Sequence, residues 1–189
     1  PMPATTGEVQ TVSVTSFSTY LKDPYLFMLK NVPLLRLKEM HDDEIELDGG
    51  QFGTFAHTVL EAFGKEERDA VASGEPGFHT VAEIRGALHH SLDQQIAISF
   101  DDTVEPSVIA QLELLRIRLD LFAQHQARWK GEGWEILHVE ADFSPSSRAM
   151  WPPVELVLED GRLVRLTGKV DRIDRHRETG QYAALDYKT

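Results

Sequence analysis

Two aspartates and a lysine near the carboxyl end of the sequence have the types and spacing that metal-dependent phosphodiester chemistry needs. Asp171 lies in one predicted strand, and Asp186 and Lys188 lie in the next. Two carboxylates can hold a hard divalent cation such as Mg²⁺, which binds oxygen ligands and leaves room for substrate phosphates. Side chains at positions i and i+2 of a strand share a face, so Lys188 is expected on the side of Asp186. The spacing predicts a reaction centre around a cation.

Each of these short motifs also has an ordinary structural interpretation. Asp171, Arg172 and Asp174 could form only a charged surface on an amphipathic edge strand, and Asp-x-Lys is a common sequence. However, the residues before Asp186 are small or apolar, which indicates a buried strand. An unpaired carboxylate in such a strand is costly unless a cation or a hydrogen-bond donor meets it. The juxtaposition of the two motifs therefore favours the reaction centre.

The secondary structure that must position these residues is expected to change from helices to strands near residue 133. Residues 1–133 are mainly helical in pattern, whereas residues 134–189 show the period of strands and an Asp-Gly hairpin signal at positions 160 and 161. Residues 134–143 alternate an apolar face with a face that carries Glu140 and Asp142. Helices followed by a mostly antiparallel β-meander predict an α+β fold, which some schemes class as α/β.

Apolar periodicity predicts the helices that precede the strands. Short helices are expected from Ser16 and from Tyr25, and longer ones over residues 51–72, 81–99 and 106–130. The first long helix carries His57 and Glu61 one turn apart. A histidine on an apolar helix face is more often a hydrogen-bonded core residue than a ligand. The last helix presents a core-facing stripe of apolar residues, namely Val108, Leu112, Leu115, Leu119 and Phe122.

Composition narrows the classes of protein that the chain can represent. Its 189 residues are 41% hydrophobic, enough for one core and a single domain spanning residues 1–189. No apolar run reaches the roughly 20 residues of a membrane span, and the first residues lack the pattern of a secretory signal. Cysteine is absent, which excludes disulfides, thiolate zinc sites and cysteine-ligated iron–sulfur clusters and fits a cytoplasmic protein.

The net charge of −12 argues against autonomous binding to a polyanion such as nucleic acid. Its distribution weakens the objection. Residues 134–189 contain ten acidic and eight basic side chains, so most of the excess lies in residues 1–133. One concentrated part of that excess, over residues 39–48, is expected to be a solvated loop that ends at Gly49 and Gly50.

Four segments, in this order, resemble motifs of the RecB-type nucleases of the PD-(D/E)XK superfamily, whose fold is restriction-endonuclease-like. They are residues 16–27 (SFSTYLKDPYLF), 53–61 (GTFAHTVLE), 168–174 (GKVDRID) and 185–189 (LDYKT). The order and spacing match over most of the chain. Relatives often have cysteine where this chain has Asp23, so no iron–sulfur cluster is expected. Relatives also continue after the lysine strand with a helix and further strands, so we expect this chain to be a fragment of a longer domain.

The resemblance implies a ligand set for the cation, Mg²⁺ or Mn²⁺. His57 would be a helix-borne metal ligand and would act together with Asp171, Asp186 and the main-chain carbonyl of Tyr187. Glu140 would be the first acidic residue of the site, although Asp142 lies on the same strand face and stays an alternative.

The remaining expected roles belong to residues around the cation. Lys188 would orient the nucleophile or stabilise the transition state, and it is expected to act by its charge rather than as a base. Glu61 and Arg172 are expected to support the site.

The resemblance also implies a function for the whole chain: a divalent-metal-dependent deoxyribonuclease domain. It would hydrolyse phosphodiester bonds as an exonuclease or endonuclease in DNA repair or recombination, on single-stranded DNA or DNA ends, beside a helicase domain or subunit. The alternative is a catalytically incomplete nuclease-like module that binds DNA ends or a helicase partner. A purely structural α+β domain with surface acids is a third interpretation.

Overall fold

The computed structural model describes residues 10–31, 47, 49–100 and 104–188. Within these ranges the helices are α1 (Val14–Lys22), α2 (Pro24–Asn31), α3 (Gly49–Ala72), α4 (Val81–Ser99) and α5 (Pro106–Gly131). The strands are β1 (Gln10–Ser13), β2 (Trp134–Phe143), β3 (Val154–Val157), β4 (Leu163–His176) and β5 (Tyr182–Leu185). The chain divides into two compact units, the first from residues 1–40 and 141–169 and the second from residues 41–140 and 170–189.

The first unit combines β1, α1 and α2 with β3 and the first half of β4. In this unit β1 runs parallel to β4 and β3 runs antiparallel to it, so the strands form a mixed sheet. The Ser13 hydroxyl caps α1 by accepting a hydrogen bond from the Ser16 amide at 3.0 Å. Helix α2 starts at Pro24, where the missing amide hydrogen costs nothing.

The second unit has a core of three helices packed with the first part of β2. Helix α4 contacts both α3 and α5, and β2 adds Ile136 and Val139. Beside them, β5 pairs antiparallel with the second half of β4, with Ala184 opposite Ile173. The predicted core stripe on α5 is confirmed, because Val108, Leu112, Leu115 and Leu119 are buried and Phe122 is partly buried.

The α+β class is confirmed, and the strands depart from prediction in three places. Residues 10–13 form β1, which the sequence did not identify as a strand. The segments 162–166 and 169–175, expected as two strands of a meander, belong to the single strand β4 (Leu163–His176) apart from residue 162, and no turn separates them at Gly168. The last strand ends at Leu185 instead of continuing to Lys188.

Two further expectations concern the chain as a whole. The acidic run over residues 39–48 lies outside the described residues except for Leu47. Among the described helices, none combines the length and apolar character that crossing a bilayer requires.

Candidate metal centre

Three separate elements of the second unit bring potential ligands to one cleft. His57 comes from α3, Glu140 from β2 and Asp171 from β4, and one ligand atom of each lies within 4.8 Å of the others. All three side chains are partly buried. The cleft has a volume of about 430 Å³, and Glu61 and the first turns of α3 also line it. His57 and Glu140 are 83 residues apart in the sequence, and Glu140 and Asp171 are 31 apart, so the fold brings distant residues into one group.

A glycine in α3 allows this helix to approach β2 closely. A Cβ atom added to Gly64 would lie only 2.9 Å from Cγ2 of Val139. Gly64 lies two turns after His57 on the same helix, and Val139 immediately precedes Glu140. The close packing therefore fixes the helix that carries the histidine against the strand that carries the glutamate.

The backbone of Tyr187 contacts two of the predicted ligands, Asp171 and His57. Its amide donates a hydrogen bond to Asp171 Oδ2 at 2.7 Å, and its carbonyl oxygen lies 3.0 Å from His57 Nε2. Because a carbonyl oxygen can only accept, Nε2 is the donor in this contact. Nδ1 lies 3.7 Å from Asp171 Oδ2. With a neutral ring, a lone pair of Nδ1 would face this carboxylate oxygen, an arrangement that a cation between the two atoms would stabilise.

The donor set fits a hard divalent cation. It offers an imidazole nitrogen of His57 and carboxylate oxygens of Glu140 and Asp171. The carbonyl of Tyr187, which the resemblance also implies as a ligand, lies beside Nε2, away from Nδ1 and Asp171. Oxygen-rich sets of this kind suit Mg²⁺ or Mn²⁺, and an imidazole nitrogen is a ligand that Mn²⁺ accepts readily. The residues present are therefore of the kinds that could hold a divalent cation.

Glu140, rather than Asp142, lies in this group. The Asp142 carboxylate accepts a hydrogen bond from the Ser144 hydroxyl at 3.1 Å within the first unit. Glu61 lines the cleft and forms an ion pair with Lys65 at 2.5 Å, one turn along α3. Of the two acids on β2, the structure thus brings the first to the cleft.

Asp186 and Lys188 lie apart from the group of three. Their side chains are 64% and 83% exposed and form an ion pair with each other at 2.5 Å. The expectation that Asp186 emerges from a buried strand was wrong, because Tyr182 and Ala184 are exposed and β5 ends at Leu185. The hydrogen bond that Lys188 donates to Asp186 raises the pKa of Lys188, so this ammonium group is charged at neutral pH. A charged lysine can stabilise anionic groups but cannot accept a proton.

Arg172 and Asp174 are among the most buried side chains of the second unit, at 1% and 0% exposure, so an interpretation as a charged surface is wrong. The guanidinium donates from Nε to Asp174 Oδ1 at 2.6 Å and from Nη2 to Oδ2 at 2.5 Å. Nη1 donates to Gln126 Oε1 at 2.8 Å, and Trp129 Nε1 donates to Asp174 Oδ2 at 2.7 Å. Helix α5 covers this face of β4, so the charges satisfy each other instead of meeting water.

Sequence reasoning did not identify the network around Arg172 or the packing role of Gly64. An arginine and an aspartate two residues apart in one strand were a usable signal, since they share a face and can pair. The polar partners on α5, Gln126 and Trp129, had no such signal, because their proximity to β4 depends on tertiary packing.

Glu140 has a backbone conformation that predicts an unusual response to mutation. Its φ is +53°, and among the described non-glycine residues it alone has a positive φ. Such a conformation costs about 1–3 kcal/mol for a residue with a side chain. We expect Glu140→Gly to be more stable than Glu140→Ala by about 1 kcal/mol, because both lack the carboxylate and glycine relieves the strain.

Urea denaturation of the two Glu140 variants measures this difference. The matched control is the same pair of substitutions at Glu135, which lies earlier in β2 and has no positive φ. There alanine should be the more stable of the two. If the two Glu140 variants are equally stable, or if Glu140→Ala is the more stable, the backbone at Glu140 is not strained.

Comparisons with known proteins identify the family of the chain. The family model of the PD-(D/E)XK nuclease superfamily matches residues 11–189. An ATP-dependent helicase/deoxyribonuclease subunit of Heliobacterium modesticaldum is 27% identical over 97% of this chain. A protein of the same name from Lacticaseibacillus casei is 23% identical, also over 97% of the chain. The chain spans only 15% and 16% of the length of these two relatives. The match confirms the resemblance found in the sequence motifs: the chain belongs to the PD-(D/E)XK nuclease superfamily.

Proposed function

We propose that this chain is the nuclease domain of a DNA-processing protein and hydrolyses phosphodiester bonds with the help of Mg²⁺ or Mn²⁺. The observation that carries the proposal is the convergence of His57, Glu140 and Asp171 on one cleft. Membership of a nuclease superfamily and the deoxyribonuclease names of the relatives support DNA as the substrate. The helicase part of those names supports a helicase domain or subunit as a partner in DNA repair or recombination. A DNA substrate also agrees with the cytoplasmic location expected from the sequence.

His57, Glu140 and Asp171 would hold the cation, which would supply an activated water and charge for the phosphoryl oxygens. The contacts of the chain itself orient these groups. The Tyr187 amide directs Asp171 Oδ2, and the carbonyl of Tyr187 fixes the ring of His57. Because the site is partly buried, its charges act on a substrate through less water than they would on an open surface.

In this proposal Asp186 and Lys188, which flank Tyr187, act on the bound substrate. The ammonium of Lys188 is charged and highly exposed, so it is available to a phosphate at the rim. Asp186 directly precedes Tyr187 and would complete the ligand set when substrate and cation are present. Substrate strands would be held mainly through their phosphates, with little reading of base identity.

The test is metal-dependent cleavage of a labelled single-stranded DNA oligonucleotide, with a double-stranded and a 5′-overhang substrate in parallel. We expect cleavage with Mg²⁺ or Mn²⁺ and none with a chelator. Asp186→Ala and Lys188→Ala should each reduce the rate by about 100-fold or more, as the loss of a group that stabilises a transition state does. Lys22→Ala, which removes an exposed lysine of α1, is the matched control and should keep the rate. Cleavage that survives both changes in full would refute the assigned roles.

The alternative, a nuclease-like module without activity, is favoured by one observation. Asp186 and Lys188 form an ion pair with each other, and neither joins the group of His57, Glu140 and Asp171. Calorimetric titration with Mn²⁺ separates the two functions. A stoichiometric site together with cleavage supports the nuclease, whereas DNA binding without a cation site or cleavage supports the binding module.

A further inference from the structure

Tyr187 connects the candidate metal centre to the buried pair of Arg172 and Asp174. Its backbone contacts both Asp171 and His57, as described above. Its hydroxyl lies close enough to the Arg172 guanidinium for the two groups to influence each other's pKa. Burial raises the pKa of this hydroxyl, although the charge of Arg172 opposes the shift, so the group is a neutral phenol at neutral pH. One residue thus contacts the site with its backbone and the ion pair with its side chain.

The ring of Tyr187 is enclosed by aromatic neighbours. It meets the ring of Phe122 on α5 edge-on, with centroids 6.0 Å apart. It meets the ring of His57 in the same manner at 5.9 Å. Edge-on aromatic pairs at these distances are favourable beyond the apolar area that they bury. The side chain of Tyr187 is therefore held in one orientation by a helix on each side and by Arg172.

The residues flanking Tyr187 contribute no comparable anchor. Strand β5 ends at Leu185, so residues 186–188 lack strand hydrogen bonds. The side chains of Asp186 and Lys188 are mainly exposed and contact each other. The position of the Tyr187 amide and carbonyl must therefore depend on the Tyr187 side chain more than on the strand.

Arg172 provides a rigid support for the Tyr187 hydroxyl. Its guanidinium is fixed by two hydrogen bonds to Asp174 and a third to Gln126 of α5. Bidentate pairs of this type have a defined geometry, and a partner bound to them shares it. A support of this kind is what a residue behind a metal ligand needs in order to fix its orientation.

We propose that Tyr187 is a positioning residue whose side chain, packed between Phe122 and His57 with its phenol next to Arg172, aligns its own backbone with His57 and Asp171 for the cation. This inference rests on the proposed function, since it assumes that the two residues hold a divalent ion. It assigns a role to the side chain of Tyr187 in addition to the expected role of its carbonyl.

The experiment is calorimetric titration of metal-free protein with Mn²⁺, for the wild type and four variants. Tyr187→Phe keeps the ring and removes the hydroxyl, and we expect it to weaken Mn²⁺ binding by about tenfold. Tyr182→Phe is the matched control, because Tyr182 is an exposed tyrosine of β5, and its affinity should equal that of the wild type. Asp171→Asn serves as the reference for loss of a ligand.

The fourth variant, Ile84→Val, separates positioning from a general loss of stability. Ile84 is fully buried in α4 and is not among the residues that line the cleft. Thermal melting is recorded for every variant, and Ile84→Val should melt earlier than the wild type yet bind Mn²⁺ with unchanged affinity.

Each outcome decides between the inference and the proposed function. Positioning is supported if Tyr187→Phe binds Mn²⁺ more weakly than the wild type, while Tyr182→Phe and Ile84→Val bind it with wild-type affinity. If Asp171→Asn loses Mn²⁺ while Tyr187→Phe binds as tightly as the wild type, positioning is refuted and the cation site stands. It is also refuted if Ile84→Val or Tyr182→Phe loses as much affinity as Tyr187→Phe. A wild type without a Mn²⁺ site, or an Asp171→Asn variant with full affinity, overturns the proposed function itself.

Discussion

Replacing Asp171 with asparagine is expected to weaken Mn²⁺ binding by more than about 100-fold and to reduce DNA cleavage to the level of a chelator-treated sample. Loss of a residue behind a metal ligand already costs about 10–100-fold in affinity, so loss of a ligand should cost more. Asparagine keeps the shape of the side chain and an oxygen that can accept from the Tyr187 amide. The loss should therefore reflect the missing charge rather than a disturbed fold. Calorimetry and a cleavage assay with a labelled oligonucleotide measure the two effects.

The matched control for this change is Asp160→Asn. Asp160 is an exposed acid in the β3–β4 turn, where its carboxylate accepts a hydrogen bond from the Arg162 amide at 3.1 Å. Its substitution should leave Mn²⁺ affinity and cleavage at wild-type levels. An Asp171→Asn protein that binds Mn²⁺ like the wild type would remove the basis for the cation site.

Replacing Arg172 with methionine is expected to reduce the free energy of unfolding by about 3–5 kcal/mol. The change leaves the fully buried carboxylate of Asp174 without its cation, and among the described residues the Trp129 indole is the donor that remains. The cost comes from this uncompensated charge rather than from lost attraction alone. Urea denaturation followed by circular dichroism measures it. If the protein does not fold, Asp174→Asn, which keeps hydrogen-bond acceptors and removes the charge, provides the second measurement.

Arg165→Met is the control on the same strand. Arg165 pairs with Glu155 at 2.9 Å, but the two side chains are 41% and 51% exposed. Water screens such a pair, so its loss should cost less than about 1 kcal/mol. The double variant Arg172→Met/Asp174→Leu should recover much of the stability, because no buried charge remains. Losses of equal size in Arg172→Met and Arg165→Met would show that burial does not govern the effect.

Local periodicity was sufficient for the helices and for most strands. Helix α4 has the predicted bounds, and α3 and α5 differ from theirs by one or two residues. Apolar residues at helical spacing indicate both the helix and its buried face. The hairpin between β3 and β4 was predicted correctly because Gly161, at φ +81°, occupies the turn.

The predictions that were wrong concern features that depend on contacts between residues far apart in the sequence. The end of β5 is set by its pairing with β4, and the register stops with Leu185 opposite Arg172. The burial of Arg172 and Asp174 depends on α5, more than 40 residues earlier in the chain. A local pattern of charged residues in a strand cannot distinguish a solvated edge from a paired buried face.

In the candidate site, too, local sequence patterns predicted some features, and others depend on contacts between distant residues. Residue types and motif order were sufficient to select His57, Asp171 and Glu140, which the structure brings together. The sequence favoured Glu140 and left Asp142 as an alternative, since both belong to the face expected to carry acids. The close approach of α3 at Gly64 and the left-handed backbone of Glu140 are three-dimensional features that accompany the choice.

The buried pair also has a consequence for how the chain finds its strand register during folding. A slip of β4 by one residue moves each side chain into its neighbour's position. The two buried positions would then hold Ile173 and Arg175 in one direction, or Asp171 and Ile173 in the other. Either slip leaves one charge buried without its opposite, which is strongly unfavourable. The pair that supports Tyr187 thus discriminates against misaligned strands, and it places Asp171 at the cleft by making other alignments costly.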